Sequence, residues 1–169
     1  LFPAFLLTLL LAAPRLSGSC TTAIPDSLRI RQLLYNGREW ENKFRRYNGD
    51  PFLFANYFLP GEISYNGRTF VNVKLKYDIY SDQVLIPRSL DQIIQLNKEM
   101  IDSFKLVFQN RVYTFARLDN NRPEGFVNVL YSGRSILCVR YIKRISTVIS
   151  DHTDGSFYQV YEVYCMTDG

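Results

Sequence analysis

His152 is the only histidine in the 169-residue chain, so any nucleophilic triad of the serine or cysteine kind would have to use it. It stands in Ser150-Asp151-His152-Thr153-Asp154-Gly155, a run of turn formers, and no Gly-x-Ser-x-Gly element precedes it. The expected setting is a solvated loop, and no catalytic residue is assigned. Asp151, Asp154 and Gly155 resemble a fragment of a calcium loop, but their spacing departs from the EF-hand pattern. No His/Cys cluster has zinc-ligand spacing, so no metal site and no cofactor are expected. Glycoside hydrolysis needs two carboxylates flanking a cleft. Asp78 and Asp82 share strand parity and Glu62 is placed on a neighbouring strand, yet on the polar face of a half-buried sheet such groups are expected to be solvated.

The most site-like stretch is Trp40-Glu41-Asn42-Lys43-Phe44-Arg45-Arg46-Tyr47. Its candidate binding residues are Trp40, Lys43, Arg45, Arg46 and Tyr47. Cations interleaved with aromatic rings suit a sugar, an anionic lipid head group or a loop of a partner protein. The competing reading is one more amphipathic strand, with its aromatics packed inward and its arginine heads reaching water.

Export is written at the other end of the chain. Residues 5–13 form a short, uncharged apolar run that ends at Pro14 and leads into Leu16-Ser17-Gly18-Ser19-Cys20. That run is too short to span a bilayer and matches the core and cleavage zone of a signal peptide. The predicted division is therefore a signal peptide over 1–19, incomplete at its N-terminus, and one β-rich domain over 20–169. Two processing routes stand open. Ser17 and Ser19 occupy the −3 and −1 positions for a cut before Cys20. Alternatively, the same residues form an imperfect lipoprotein box, and Cys20 becomes a lipidated anchor. Asp168-Gly169 is a hairpin signal with no returning strand, which leads to the expectation that the sequence is also cut at this end.

Composition narrows the partners. A formal net charge of +4 is too mild to argue for nucleic acid. Twelve Phe, twelve Tyr and one Trp favour strands. Of the cysteines, Cys138 and Cys165 are expected as buried thiols, with a disulfide as the alternative.

Tyr-Asn-Gly occurs at 35–37, 47–49 and 65–67, and Asn-Gly is the strongest short signal for a hairpin turn. After the third copy, Val71, Val73, Leu75, Tyr77 and Ile79 alternate with Asn72, Lys74, Lys76 and Asp78, which predicts a strand with one buried and one wet face. Further strands are expected at 83–86, 93–96, 105–108, 112–118, 126–131, 135–142 and 157–166. Helix is expected over 21–34 and, capped by Asn97, over 98–104, where Met100, Ile101 and Phe104 fall at helical spacing. The hairpin across Ser132-Gly133 is expected to be central, because both its faces are apolar. The predicted fold is mainly β, an antiparallel, hairpin-connected sandwich or open barrel with one or two short helices.

The central stretch resembles a family of exported Bacteroidota proteins. The residues that carry the resemblance are Gly61-Glu62-Ile63-x-Tyr65-Asn66-Gly67, Phe70, Asn72-Val73-x-Leu75-x-Tyr77-Asp78, Ile93-x-x-Leu96, Phe104 and Phe126-x-x-Val129-Leu130-Tyr131-x-Gly133. Tyr35-Asn36-Gly37-Arg38-Glu39 and Gly49-x-Pro51-Phe52 belong to the same pattern. The family has no established activity, so the resemblance implies export and β architecture and adds no catalytic residue. The leading functional expectation is an exported, non-enzymatic binding or structural module in the periplasm, at the outer membrane or on the cell surface. Its partners would be envelope polymer, anionic lipid or another envelope protein, with no nucleic acid. The alternatives are a secreted or periplasmic hydrolase of envelope or extracellular polymer and, third, part of an outer-membrane β-barrel.

Overall fold

The computed structural model describes residues 32–118, 123–147 and 154–167. The 1–19 segment, Cys20 and His152 lie outside the described residues, as does most of the helix expected over 21–34, of which 32–34 are helical.

The described chain is a β protein. Its strands are β1 (Arg38–Glu39), β2 (Tyr47–Asn48), β3 (Leu59–Tyr65), β4 (Arg68–Asp78), β5 (Gln83–Pro87) and β6 (Ile93–Gln95). They continue as β7 (Ile101–Phe108), β8 (Arg111–Ala116), β9 (Val127–Ser132), β10 (Ser135–Ser146) and β11 (Gly155–Thr167). All belong to one eleven-stranded sheet in the order β1-β6-β5-β4-β3-β7-β8-β9-β10-β11-β2. Neighbours are antiparallel except β2 and β11, which run parallel.

This order forces the sheet to curl. β1 and β2 stand at its two ends, yet they are joined directly by residues 40–46. Eleven strands laid flat would hold their outer members roughly 48 Å apart at about 4.8 Å per strand. The connection from Glu39 to Tyr47 reaches at most roughly 28 Å even fully extended. The sheet also meets itself part-way round: the Lys143 amide of β10 donates to the Ile79 carbonyl just past β4, at 3.3 Å. The result is an open barrel strapped across its gap by residues 40–46.

Three irregularities assist the curl, because each inserts one unpaired residue and sharpens the local twist. In β4, Gly61 faces Val73 and Ile63 faces Phe70, so β4 carries one residue more than β3, and Asn72 there takes φ 55°. In β7, Ser64 faces Ser103 and Tyr65 faces Ile101, which leaves Asp102 over. In β9, Leu130 is the unmatched residue between Tyr131 and Val129.

These bulges correct three expectations. Alternation along β4 breaks at Asn72, so Phe70 is buried and Val71 is 59% exposed. Residues 101–104 are strand rather than helix: the bulge at Asp102 lets Ile101 and Phe104, three apart, both point inward, while Met100 stays exposed. The Asn97 cap is present, its side chain accepting from the Glu99 amide, but it caps only the 3-10 turn Lys98–Met100. At the tip of the β9–β10 hairpin, Leu130 and Tyr131 are exposed, so only the base of that hairpin is central.

Of the three Tyr-Asn-Gly copies, only Tyr65-Asn66-Gly67 makes a hairpin, with φ of 52° and 69° at its central residues. Gly37 serves instead for close approach, since a Cβ there would collide with the Gln95 carbonyl of β6.

The concave side is filled by aromatic rings. Phe104 stacks on Phe115 with centroids 4.9 Å apart, and Tyr77 and Phe126 meet Phe104 edge-on at 5.1 and 5.2 Å. Leu75, Leu106 and Ile63 complete the wall. The buried Tyr77 hydroxyl donates to Asp82 at 2.6 Å, and Asp82 also pairs with Lys98. Burial, then the Asp82 charge, pushes the Tyr77 pKa well above its usual value. Cys138 is buried and Cys165 exposed; Cys165 faces Leu137 and Cys138 faces Tyr164, so the thiols point to opposite faces and form no disulfide.

Candidate binding site on the strap

Residues 40–46 contain no strand; they cross from one end of the sheet to the other as an irregular connection that ends in a turn at 45–46, where the Tyr47 amide donates to the Phe44 carbonyl at 3.1 Å. Two aromatic anchors hold it. Trp40 packs on Phe52 at 5.6 Å, and its amide donates to the Ile93 carbonyl at 2.9 Å. Phe44 sits edge-on to Tyr47, Tyr80 and Phe157 at 5.7, 5.2 and 5.2 Å. Each such ring pair contributes about 0.5–1.5 kcal/mol beyond the area it buries. Lys43 between the anchors, and Arg45 and Arg46 after the second, are exposed, and Arg46 reaches Asp154 at 3.2 Å. Thus Trp40 and Tyr47 are half-buried, and the three cations stand in water.

A cleft opens on each side of Trp40. One, of about 370 Å³, is lined by Arg38, Glu39, Trp40, Lys43, Gln83 and Gln95. The other, of about 570 Å³, is lined by Trp40, Glu41, Asn42, Arg45, Asp91 and Ile93. Glu39, Trp40 and Glu41 border both. Arg46 and Tyr47 do not line either cleft; Tyr47 belongs to the Phe44 anchor.

Sequence reasoning found Trp40, Lys43 and Arg45 and missed Glu39, Gln83, Asp91 and Gln95. Glu39 and Gln95 arrive through the β1–β6 ladder, where Arg38 faces Gln95 and Glu39 faces Ile94; Gln83 opens β5, and Asp91 lies in the connection before β6. A two-residue strand leaves no periodicity to read.

The carboxylates considered for paired catalysis have separate partners. Glu62 pairs with Lys105 at 2.9 Å on the sheet surface. Asp82 joins Tyr77 and Lys98. Asp78, expected on a wet face, is fully buried; one oxygen caps the following turn, accepting from the Tyr80 and Ser81 amides at 2.9 Å each, and Oδ2 has no hydrogen-bond partner among the described residues. Burial raises its pKa. Lys76, also expected in water, is only 7% exposed. The reason is the segment after Gly49, which folds over this end of β4, with Phe52 bridged to Asp78 and the Leu53 amide bonded to the Tyr77 carbonyl. The Lys76 ammonium lies over the Phe52 and Phe58 rings at 4.3 and 4.7 Å and donates to Asn56. Burial lowers its pKa, opposed by the Asp50 charge.

Among the described residues, no group of three or more His, Cys, Asp or Glu is placed to hold a metal ion, and no helix is long and apolar enough to cross a membrane. No protein-family model, curated protein or solved structure matches this chain.

Proposed function

We propose that this chain is an exported, non-enzymatic β-domain that works as an envelope-associated binding module, with the 40–46 strap as its contact surface. The observation that carries the reading is the pair of open, polar clefts flanking Trp40, held on a strap that the barrel rigidly anchors at both ends. A site framed by fixed elements loses little entropy on binding. The apolar run over 5–13 and the small residues before Cys20 support export, and the resemblance to exported Bacteroidota proteins agrees with it.

The test is intact mass and membrane fractionation of the full-length protein in a Gram-negative host. A mature N-terminus at Cys20 in the envelope or periplasmic fraction is expected, with diacylglycerol mass if the lipoprotein route is used. Unprocessed protein retained in the cytosol would refute export. For the contact surface, the combined variant Trp40→Ala, Arg45→Ala, Arg46→Ala should release the protein from purified envelope; unchanged retention would remove the strap from the reading.

A further inference from the structure

We infer that the two clefts flanking Trp40 form a single elongated site and that its ligand is an uncharged, hydroxyl-rich glycan segment. This rests on the binding reading above and specifies its ligand class. The clefts share Glu39, Trp40 and Glu41 along their common border, so a chain laid across the strap passes from one into the other.

The charges around this border are balanced. Taken over both clefts, the exposed Arg38, Lys43 and Arg45 line them alongside Glu39, Glu41 and Asp91, with carboxylates in excess in the cleft that Asp91 and Arg45 line. Among the described residues, none of these six makes an ion pair or a side-chain hydrogen bond, although Arg46, next along the strap, is paired with Asp154. Their hydrogen-bonding capacity is therefore open to a ligand.

Balance excludes an anionic head group as the best fit. A phosphate drawn to Arg38 or Arg45 would sit against carboxylates of the same cleft, and like charges brought together at a binding surface are repelled. A sugar hydroxyl meets no such conflict. It donates to a carboxylate while accepting from a guanidinium, an ammonium or an amide, and vicinal hydroxyls use both kinds at once. Gln83 and Gln95 add side chains that offer a donor and an acceptor each, and Asn42 adds its amide donor, its oxygen already accepting from the Phe44 amide at 2.9 Å. Trp40 supplies the one indole of the chain, on the border between the clefts, as an apolar surface for the C–H face of a ring. The few apolar groups and the open, charged rims are a poor match for a small apolar ligand.

Because Trp40 is the sole tryptophan, its emission reports the site directly. The probes are uncharged hexasaccharides of β-linked glucose, α-linked glucose, mannose and N-acetylglucosamine, each titrated at low and high salt, with phosphatidylglycerol vesicles in parallel. The expected result is a saturable change in Trp40 emission with at least one hexasaccharide, insensitive to salt. It should weaken about tenfold or more in Glu41→Gln and in Asp91→Asn, which remove one charged acceptor each from an exposed position. Thermal melts matching the parent chain would confirm that both variants are folded. No change with any hexasaccharide, or a change that survives in both variants, overturns the proposal. A response to the vesicles alone, abolished by salt, also overturns the glycan assignment but leaves a binding role for the strap standing.

Discussion

Replacing Lys76 with methionine should stabilise the protein, and the structure gives both the size and the pH signature of the effect. The Lys76 side chain is buried against Phe52 and Phe58, and no carboxylate lies within ion-pair distance among the described residues. Its ammonium has only long hydrogen bonds to Asn56, at 3.2 and 3.4 Å. Two such bonds contribute about 1 kcal/mol together. The two ring contacts contribute about 1–2 kcal/mol more. Against this stands the cost of removing an ammonium from water, several kcal/mol after relaxation. That imbalance is why burial is the first cause of the lowered Lys76 pKa. Methionine keeps the stem and adds sulfur–aromatic contacts of about 0.3–1.5 kcal/mol. It leaves no orphan, because Asn56 is exposed and its oxygens return to water. The expected gain at neutral pH is about 1–2 kcal/mol, a rise in Tm of roughly 2–6 °C for a domain of this size.

The sign with pH follows from linkage. Below the lowered folded-state pKa, the parent carries the full cost of the buried charge. As pH rises toward the usual lysine value near 10.5, folded and unfolded chains both become neutral at this site and the cost disappears. The stability gap between Lys76→Met and the parent, measured by urea unfolding at a series of pH values, should therefore shrink as pH rises. Lys76→Ala, which also removes the packed stem, should be less stable than Lys76→Met at every pH. A methionine variant less stable than the parent by more than about 1 kcal/mol, or a gap that does not change with pH, would refute this account.

Two further substitutions probe the elements that shape the barrel. Gly61→Ala places a Cβ against the Lys105 carbonyl oxygen of β7 and within 3.0 Å of Leu75 Cδ1, so β3 must shift away from its partner. The expected cost is about 3 kcal/mol, read as a Tm drop of roughly 10 °C by circular dichroism; a change below about 1 kcal/mol would mean the strands separate freely here. Asp78→Asn keeps the acceptor for the Tyr80 and Ser81 amides and removes the buried charge. Because the folded-state pKa of Asp78 is raised, its stabilising contribution is complete below about 3.8 and is lost as pH rises through the folded value. The variant should therefore gain on the parent as pH climbs from the acid range to neutrality, and a constant difference in urea midpoints would contradict that.

What could be read from the chain was local. The Asn66-Gly67 turn needed only positive φ at two adjacent residues, and the cap at Asn97 only one side-chain acceptor. β-richness followed from the aromatic and β-branched content. What escaped depends on a second strand. Asn72, Asp102 and Leu130 look like ordinary strand residues, and only their partners' registers reveal them as bulges. Lys76 and Asp78 sit at polar positions of an alternating pattern, and they are buried because a segment more than twenty residues earlier in the chain covers that end of β4. Half of the candidate site was legible because Trp40, Lys43 and Arg45 are neighbours in sequence. Gln95 joins them through a ladder too short to leave a pattern, and Asp91 through the connection between β5 and β6.

The strap joins these two levels, since the residues that close the barrel also frame the clefts. Its aromatics and its charges ought to separate by experiment. Phe44 touches three rings drawn from β2, β11 and the turn after β4, so it ties together parts of the sheet that are far apart in strand order. Phe44→Ala should cost about 2 kcal/mol, less than the 3–5 kcal/mol of a fully buried ring because Phe44 is only half-buried. Lys43→Ala and Arg45→Ala remove exposed cations that have no ion-pair partner among the described residues and should stay within about 0.5 kcal/mol of the parent. Chemical denaturation of the three variants measures this directly. If Phe44→Ala is as neutral as the cation variants, the strap is only laid across the gap and does not hold it shut. If the cations prove as costly as Phe44, they are part of the closure, and their exposure could no longer be read as availability for a ligand.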